Sequence, residues 1–211
     1  MHQTIIIATS NKGKVKEFES IAQHSMSNIQ CNNLLLKTIN EVYAGEFDPE
    51  ETGSSFQKNA LIKAQAAAKI LSSGSLAPQD DETLILADDS GIEIQALNGR
   101  PGIYSARYLK AHGIAGILKE LGNNPYRQAR FVCHISLVDL KGDVVFETEQ
   151  YWTGIITHEA RGTNGFGYDP IVVPDEYASE NKTVAELDDD IKSKLSHRAQ
   201  ALIKLIEFLS K

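Results

Sequence analysis

The chain is poor in cysteine: Cys31 and Cys133 are the two present among 211 residues. Neither belongs to a CxxC pair, and no Cys/His cluster has zinc spacing. This argues against a structural zinc site and a disulfide framework, and two buried thiols in a reducing compartment are expected. Long apolar runs are also missing. The N-terminal "IIIA" is too short for the hydrophobic part of a signal peptide or for a membrane span, so a cytoplasmic protein with no membrane partner is expected. There is no excess of positive charge, with 21 Lys and Arg against 28 Asp and Glu and a net charge of -7. A general nucleic-acid binder needs a basic surface, and this balance speaks against one. It leaves room for a local basic pocket that holds a small anion. G-x-S-x-G and G-x-G-x-x-G do not occur, which argues against a serine nucleophile elbow and a dinucleotide cofactor.

What is present suits one globular domain over residues 1–211, with 42% hydrophobic and 23% charged residues. "TIIIA", 4–8, predicts a buried strand; a polar loop follows at 9–13, then a helix over 14–23. Residues 30–45 carry weak strand signals. A helix-start cluster at Thr52 to Ser55 precedes a stripe of Phe56, Ala60, Ala64, Ala67 and Leu71, the mark of a long helix packed closely on a sheet. Residues 72–82 read as a loop. "TLILADDSGIEIQAL", 83–97, reads as strand, tight acidic turn, strand. Residues 98–108 read as a Gly/Pro/Arg loop leading to a helix. Residues 129–140, a "KGD" turn and "VVFETEQYWTG" predict a β-hairpin. Residues 161–174 form a glycine-rich loop and short strand. Leu195, Ala199, Leu202, Ile206 and Leu209 mark a C-terminal helix. Helices interleaved with long strands give an α/β class with a mixed sheet.

Several stretches carry chemistry, each with a plainer alternative. "ATSNKGKVKEF", 8–18, places Thr9, Ser10, Asn11, Lys12, Gly13 and Lys14 at a helix start, where free N–H groups and the dipole favour phosphate. It is not a Walker loop, because Ala8 and Val15 replace the required Gly and Ser/Thr. Its alternative is a capped, solvated helix start, with Ser10 or Asn11 as the cap. "ADDSG", 87–91, sets Asp88 and Asp89 at a strand end, which suits a hard cation such as Mg2+ or else a solvated turn. Glu50 and Glu51 in "PEETG" are metal-ligand candidates or helix-dipole partners. "GFGYDP", 165–170, offers Phe166 as a stacking face, Gly167 and Tyr168 beside it, and Asp169 as an acceptor, or else a structural turn. Arg198 in "SHRAQAL" falls on an apolar stripe. It must either pair with an acid or reach into a pocket. A helix break at Ser196, with that serine as N-cap, lets Lys192 and His197 face one side.

"ATSNKGKVKEF", "EETG", "ADDSGIEIQALNGRPGIYSARY", "GFGYDPI" and "SHRAQAL" occur in that order over nearly the whole chain. Together they resemble the inosine triphosphate pyrophosphatase family, whose members remove non-standard purine nucleotides. The resemblance implies an elongated α/β fold with a mixed sheet, flanking helices and a central cleft between two lobes, usually as a homodimer. It implies Mg2+-dependent hydrolysis of ITP, dITP, XTP or dXTP to the monophosphate and pyrophosphate. Thr9 to Lys14 resemble the triphosphate loop. Glu50 and Asp89 resemble the Mg2+ ligands, with Asp89 also the proposed general base. Ser90 resembles a substrate contact, and Phe166 to Asp169, Lys192, His197 and Arg198 resemble the residues that hold base and phosphates.

The pattern departs at Lys58 in "FQKNALIKA", where members commonly carry an acid. If that acid holds metal or water, Glu51 or Asp88 must substitute for it. The loop 72–82 is also longer than is usual. In the expected mechanism Lys12, Lys14 and Lys192 neutralise the polyphosphate, Phe166 stacks on the base, and Arg198 with His197 favours a 6-oxo purine. The alternatives are a non-catalytic purine nucleotide sensor and a hydrolase of modified pyrimidine triphosphates.

Overall fold

β-Branched residues extend the backbone at Gln3–Ile7 (β1), and Ile5, Ile6 and Ile7 are buried. The structure is a computed structural model that describes residues 3–26, 34–73 and 83–210. Cys31 and most of the expected loop 72–82 lie outside these residues. Helix α1 (Lys12–Met26) leads from β1 to β2 (Leu34–Thr38), and a short α2 (Ile39–Val42) follows. β1 runs parallel to β2 and to β3 (Thr83–Ile94). Helix α3 (Phe56–Ser72) is capped by Ser55, whose hydroxyl accepts from the Lys58 N–H at 3.2 Å. β4 (Pro101–Gly102) pairs antiparallel with the end of β3 and leads to α4 (Ser105–Leu121). β5 (Gln128–Val138) and β6 (Val144–Ile156) are sheet neighbours joined by the predicted turn, where the Gly142 N–H donates to the Asp139 carbonyl at 3.0 Å. β7 (Val172–Pro174) closes the order β2-β1-β3-β5-β6-β7, antiparallel to β6. Helices α5 (Asp189–Leu195) and α6 (His197–Leu209) end the described chain. Ser196 is the break between them: its backbone is extended, and its hydroxyl accepts from the Ala199 N–H at 3.1 Å.

The chain forms two compact units. One comprises Met1–Asp89, His134–Glu149 and Ala201–Lys211; the other comprises Ser90–Cys133 and Gln150–Gln200. The core of the first is Ile6, Ile85, Phe47 and Val138 against the alanine face of α3. Ala64 and Ala67 are fully buried there, so backbone and sheet approach closely. Ala64→Leu is expected to overpack this contact and cost about 1–3 kcal/mol, read as a lower urea midpoint at unchanged m-value. The core of the second unit gathers Ile92, Ile94, Ile117, Phe131, Trp152, Ile171 and Val184. Cys133 is a buried thiol outside any disulfide. Among the described residues, no helix is long and apolar enough to cross a membrane.

Two expectations are corrected and a third is narrowed. Residues 83–97 are not a hairpin: β3 runs unbroken from Thr83 to Ile94 through "ADDSG". Its first half is held by β1 and its far end by β4, and Asp88 and Asp89 are buried with cationic partners. A solvated acidic turn has no cause to form there. Helix α1 begins at Lys12 rather than at Lys14, so Lys12 and Gly13 belong to its first turn rather than to the loop. Within 30–45, the strand Leu34–Thr38 gives way to helix at Ile39.

Candidate active site

In the first unit the α1 start is organised by Asn11. Its carboxamide oxygen accepts from the Gly13 N–H at 2.9 Å and the Lys14 N–H at 3.2 Å, while its own N–H donates to the Thr9 hydroxyl at 3.2 Å. The capped helix start is therefore real, and it coexists with anion-binding features. The first turn carries no acid, Ser10 and Lys12 are exposed, and the positive end of the helix dipole stays uncompensated by its own side chains. Lys14 reaches inward to Asp88, Nζ to Oδ2 at 2.9 Å.

Beside it lies a buried cluster of acids and a lysine. Lys63 of α3 pairs with Glu51 at 2.5 Å and stands 3.6 Å from Asp89 Oδ1. Asn59, one turn earlier, donates to Asp89 Oδ2 at 3.0 Å and accepts from the Gly53 N–H at 2.8 Å. The carboxamide thus ties the loop before α3 to β3. Burial raises the Asp89 pKa above the ordinary carboxylate value, against the lowering effect of Lys63 and Lys14. Burial alone would lower the Lys63 pKa, but Asp89, Asp88 and Glu51 outweigh it and hold the ammonium above its usual value. The result is a firmly charged lysine next to a carboxylate that accepts a proton more readily than a solvated one.

The sequence did not single out Lys63 or Asn59 as site residues. A signal for Lys63 was available: it lies one residue before Ala64 on the apolar side of α3, and the reasoning applied to Arg198 applies equally to it. Glu50 is exposed, and it is Glu51 that approaches Lys63. Lys58 makes its side-chain contact with the Ser54 hydroxyl at 3.2 Å. Among the described residues, no group of three or more His, Cys, Asp or Glu side chains could by itself hold a metal ion. The carboxylate oxygens nevertheless fit Mg2+, which keeps several waters and takes one or two carboxylates together with substrate phosphates.

The second unit assembles a separate set around Phe166. Lys192 Nζ lies 4.5 Å and the Arg198 guanidinium 5.3 Å from the Phe166 ring centre. Asp169 binds both the Phe166 N–H at 2.8 Å and Lys192 Nζ at 2.7 Å, so it braces the loop backbone as well as a cation. Lys192 is thus placed with the aromatic loop. Arg198 is 5% exposed and donates to the Ser90 hydroxyl at 2.7 Å. His197 is buried, its ring stacked on Phe131 with centroids 5.0 Å apart. The Tyr168 hydroxyl donates to the Ser105 carbonyl at 2.8 Å, and burial pushes its pKa far above the usual phenol value.

Gly165 has φ of +73°, and a Cβ there would meet Asp169 Oδ2. Gly165→Ala is therefore expected to displace Asp169 and the Phe166 loop. The predicted outcome is a several-fold rise in KM for the purine triphosphate that the family resemblance implies, with a smaller change in kcat, measured by steady-state kinetics.

Residues 5–208 match a family model described as the Ham1 family. A dITP/XTP pyrophosphatase of Halalkalibacterium halodurans is 44% identical, covering 97% of each chain. One of Bacillus subtilis is 40% identical, covering 97% of this chain and 96% of the relative. Among solved structures, a HAM1 protein from Coxiella burnetii superposes with a TM-score of 0.79 at 35% identity, over 100% of this chain and 99% of that one.

Proposed function

The chain belongs to the Ham1 family, and we infer from that membership that it is a dITP/XTP pyrophosphatase. It hydrolyses non-standard purine nucleoside triphosphates to the monophosphate and pyrophosphate and so cleanses the nucleotide pool. The observation that carries this reading is 38–44% identity, over nearly the full length, to relatives that bear that name.

In the proposed mechanism the chain's own residues divide the work. The α1 start, with Thr9 to Lys14, offers N–H groups and lysine charge to the triphosphate. Asp89, supported by Asn59 and Lys63, takes the proton from the attacking water as oxygen bonds to the α-phosphorus and the α–β anhydride breaks. Pyrophosphate leaves with the electron pair of that bond. Glu50 or Glu51 together with Asp89 would hold Mg2+, which supplies charge neutralisation for the phosphates. Phe166 stacks on the purine between Lys192 and Arg198. Ser90 and His197 complete the base-side set. A cytoplasmic homodimer is the proposed working form, on the strength of the family resemblance.

The experiment is a pyrophosphate-release assay on ITP, dITP, XTP, ATP and GTP with and without Mg2+. Fast release from ITP and XTP, slow release from ATP and GTP, and loss on chelation are expected. Tight ITP binding without release would point to the sensor. Release from added modified pyrimidine nucleotides alone would point to the third reading.

A further inference from the structure

At the end of β6 the second unit contains a cavity of about 400 Å³, lined in part by Arg127, Thr157, His158, Glu159, Arg161 and Asn181. None of these belongs to the candidate active site. Arg127 is 8% exposed, and its guanidinium donates to three backbone carbonyls: Ile156 at 2.7 Å, Gly122 at 2.9 Å and Thr157 at 2.7 Å. A guanidinium has five N–H groups, so two remain. Among the described residues no carboxylate pairs with it. Burial lowers its pKa from the ordinary arginine value, yet a guanidinium stays charged under any physiological condition. Carbonyl dipoles satisfy hydrogen bonds but do not cancel a whole charge, and a buried cation without an anion is costly.

Arg161, on the same cavity, is anchored to the Asn181 backbone carbonyl and lies 3.4 Å from Glu186. His158 is exposed and adds a further nitrogen to the wall. Glu159 is the one acid of the lining. Two guanidiniums and an imidazole on a wall with a single carboxylate suit an acceptor-rich tetrahedral anion. We propose that this cavity is a binding site for a small phosphate-class oxyanion, neutralising Arg127 and held at the rim by Arg161 and His158.

The test is a titration of the metal-free, full-length protein with inorganic phosphate at constant ionic strength, followed by 15N NMR at the Thr157, His158 and Asn181 amides. Phosphate bound at the α1 start would not report at these positions, and Lys14→Ala removes that contribution. Saturable shifts at the three amides are expected in the wild type and in Lys14→Ala alike. Removing Arg127 could unfold the three-carbonyl brace, so the rim is changed instead: Arg161→Gln is expected to weaken phosphate about tenfold, the effect of losing one charged donor. Unmoved amides in wild type, the same shifts from chloride alone, or undiminished affinity in Arg161→Gln would each overturn the proposal.

Discussion

Asp89→Asn is expected to lower turnover of inosine triphosphate by a factor of about 10²–10⁴, the usual contribution of a positioned general base, while leaving the metal-free protein at least as stable as wild type. The two halves of this expectation come from one feature. Asp89 is buried on β3, and its pKa in the folded protein is raised by that burial. Between its unfolded and folded pKa values the native state holds a proton that the unfolded chain has lost. Stability therefore falls as pH rises through that window. The ionised carboxylate carries a desolvation cost that an amide does not. The Asn side chain keeps the shape and can still meet Asn59, and Lys63 keeps Glu51 as its partner. A residue retained for packing would lose stability on this exchange; a base would lose rate. Chemical denaturation in chelator and steady-state release of pyrophosphate separate the two. Near-wild-type turnover removes Asp89 from the base role, and loss of rate together with loss of fold assigns it to the lysine network instead.

The same cluster shows where the sequence was legible and where it was not. The α3 stripe and the β5–β6 hairpin could be read because periodicity and turn residues are local signals, and both elements are present in the structure. The break at Ser196 was legible for a similar reason, a cap residue at a place where the helix faces disagreed. "ADDSG" misled because Asp, Ser and Gly are turn residues by type. What keeps that stretch extended is non-local: β1 and β4 on its flanks, Lys14 and Lys63 on its carboxylates, and Asn59 at a separation of 30 residues. Lys63 carries one local signal, its place on the apolar side of α3, and that signal competes with the usual solvation of lysines. Its identity as a buried cation depends on Asp89 and Glu51 arriving beside it, and no short window contains all three. Glu50 and Glu51 are chemically equal in the sequence; only the fold directs Glu51 toward Lys63.

Arg198→Ala is expected to reduce the preference for ITP over ATP, as a ratio of kcat/KM values, by about 10–100-fold, the cost of one charged hydrogen bond. The reasoning begins with the donor inventory. A guanidinium presents N–H donors and no acceptor. The 6-oxo group of hypoxanthine or xanthine can accept from it, whereas the 6-amino group of adenine would set donor against donor. Arg198 is in place for this, buried at the start of α6 and 5.3 Å from the Phe166 ring on which the base would stack. Its bond to the Ser90 hydroxyl fixes Nη2, so Ser90→Ala should loosen the guanidinium and give a smaller loss of the same kind. Guanine also carries a 6-oxo group, so discrimination against GTP should survive Arg198→Ala unchanged. Arg198→Lys supplies the control: it keeps the charge and loses the planar fork, and selectivity should fall with it if geometry rather than charge reads the base. Thermal melts accompany each variant. A variant that melts far below wild type while the surviving enzyme keeps its ITP preference would make Arg198 a structural brace for β3 and α6, and the specificity reading would fail.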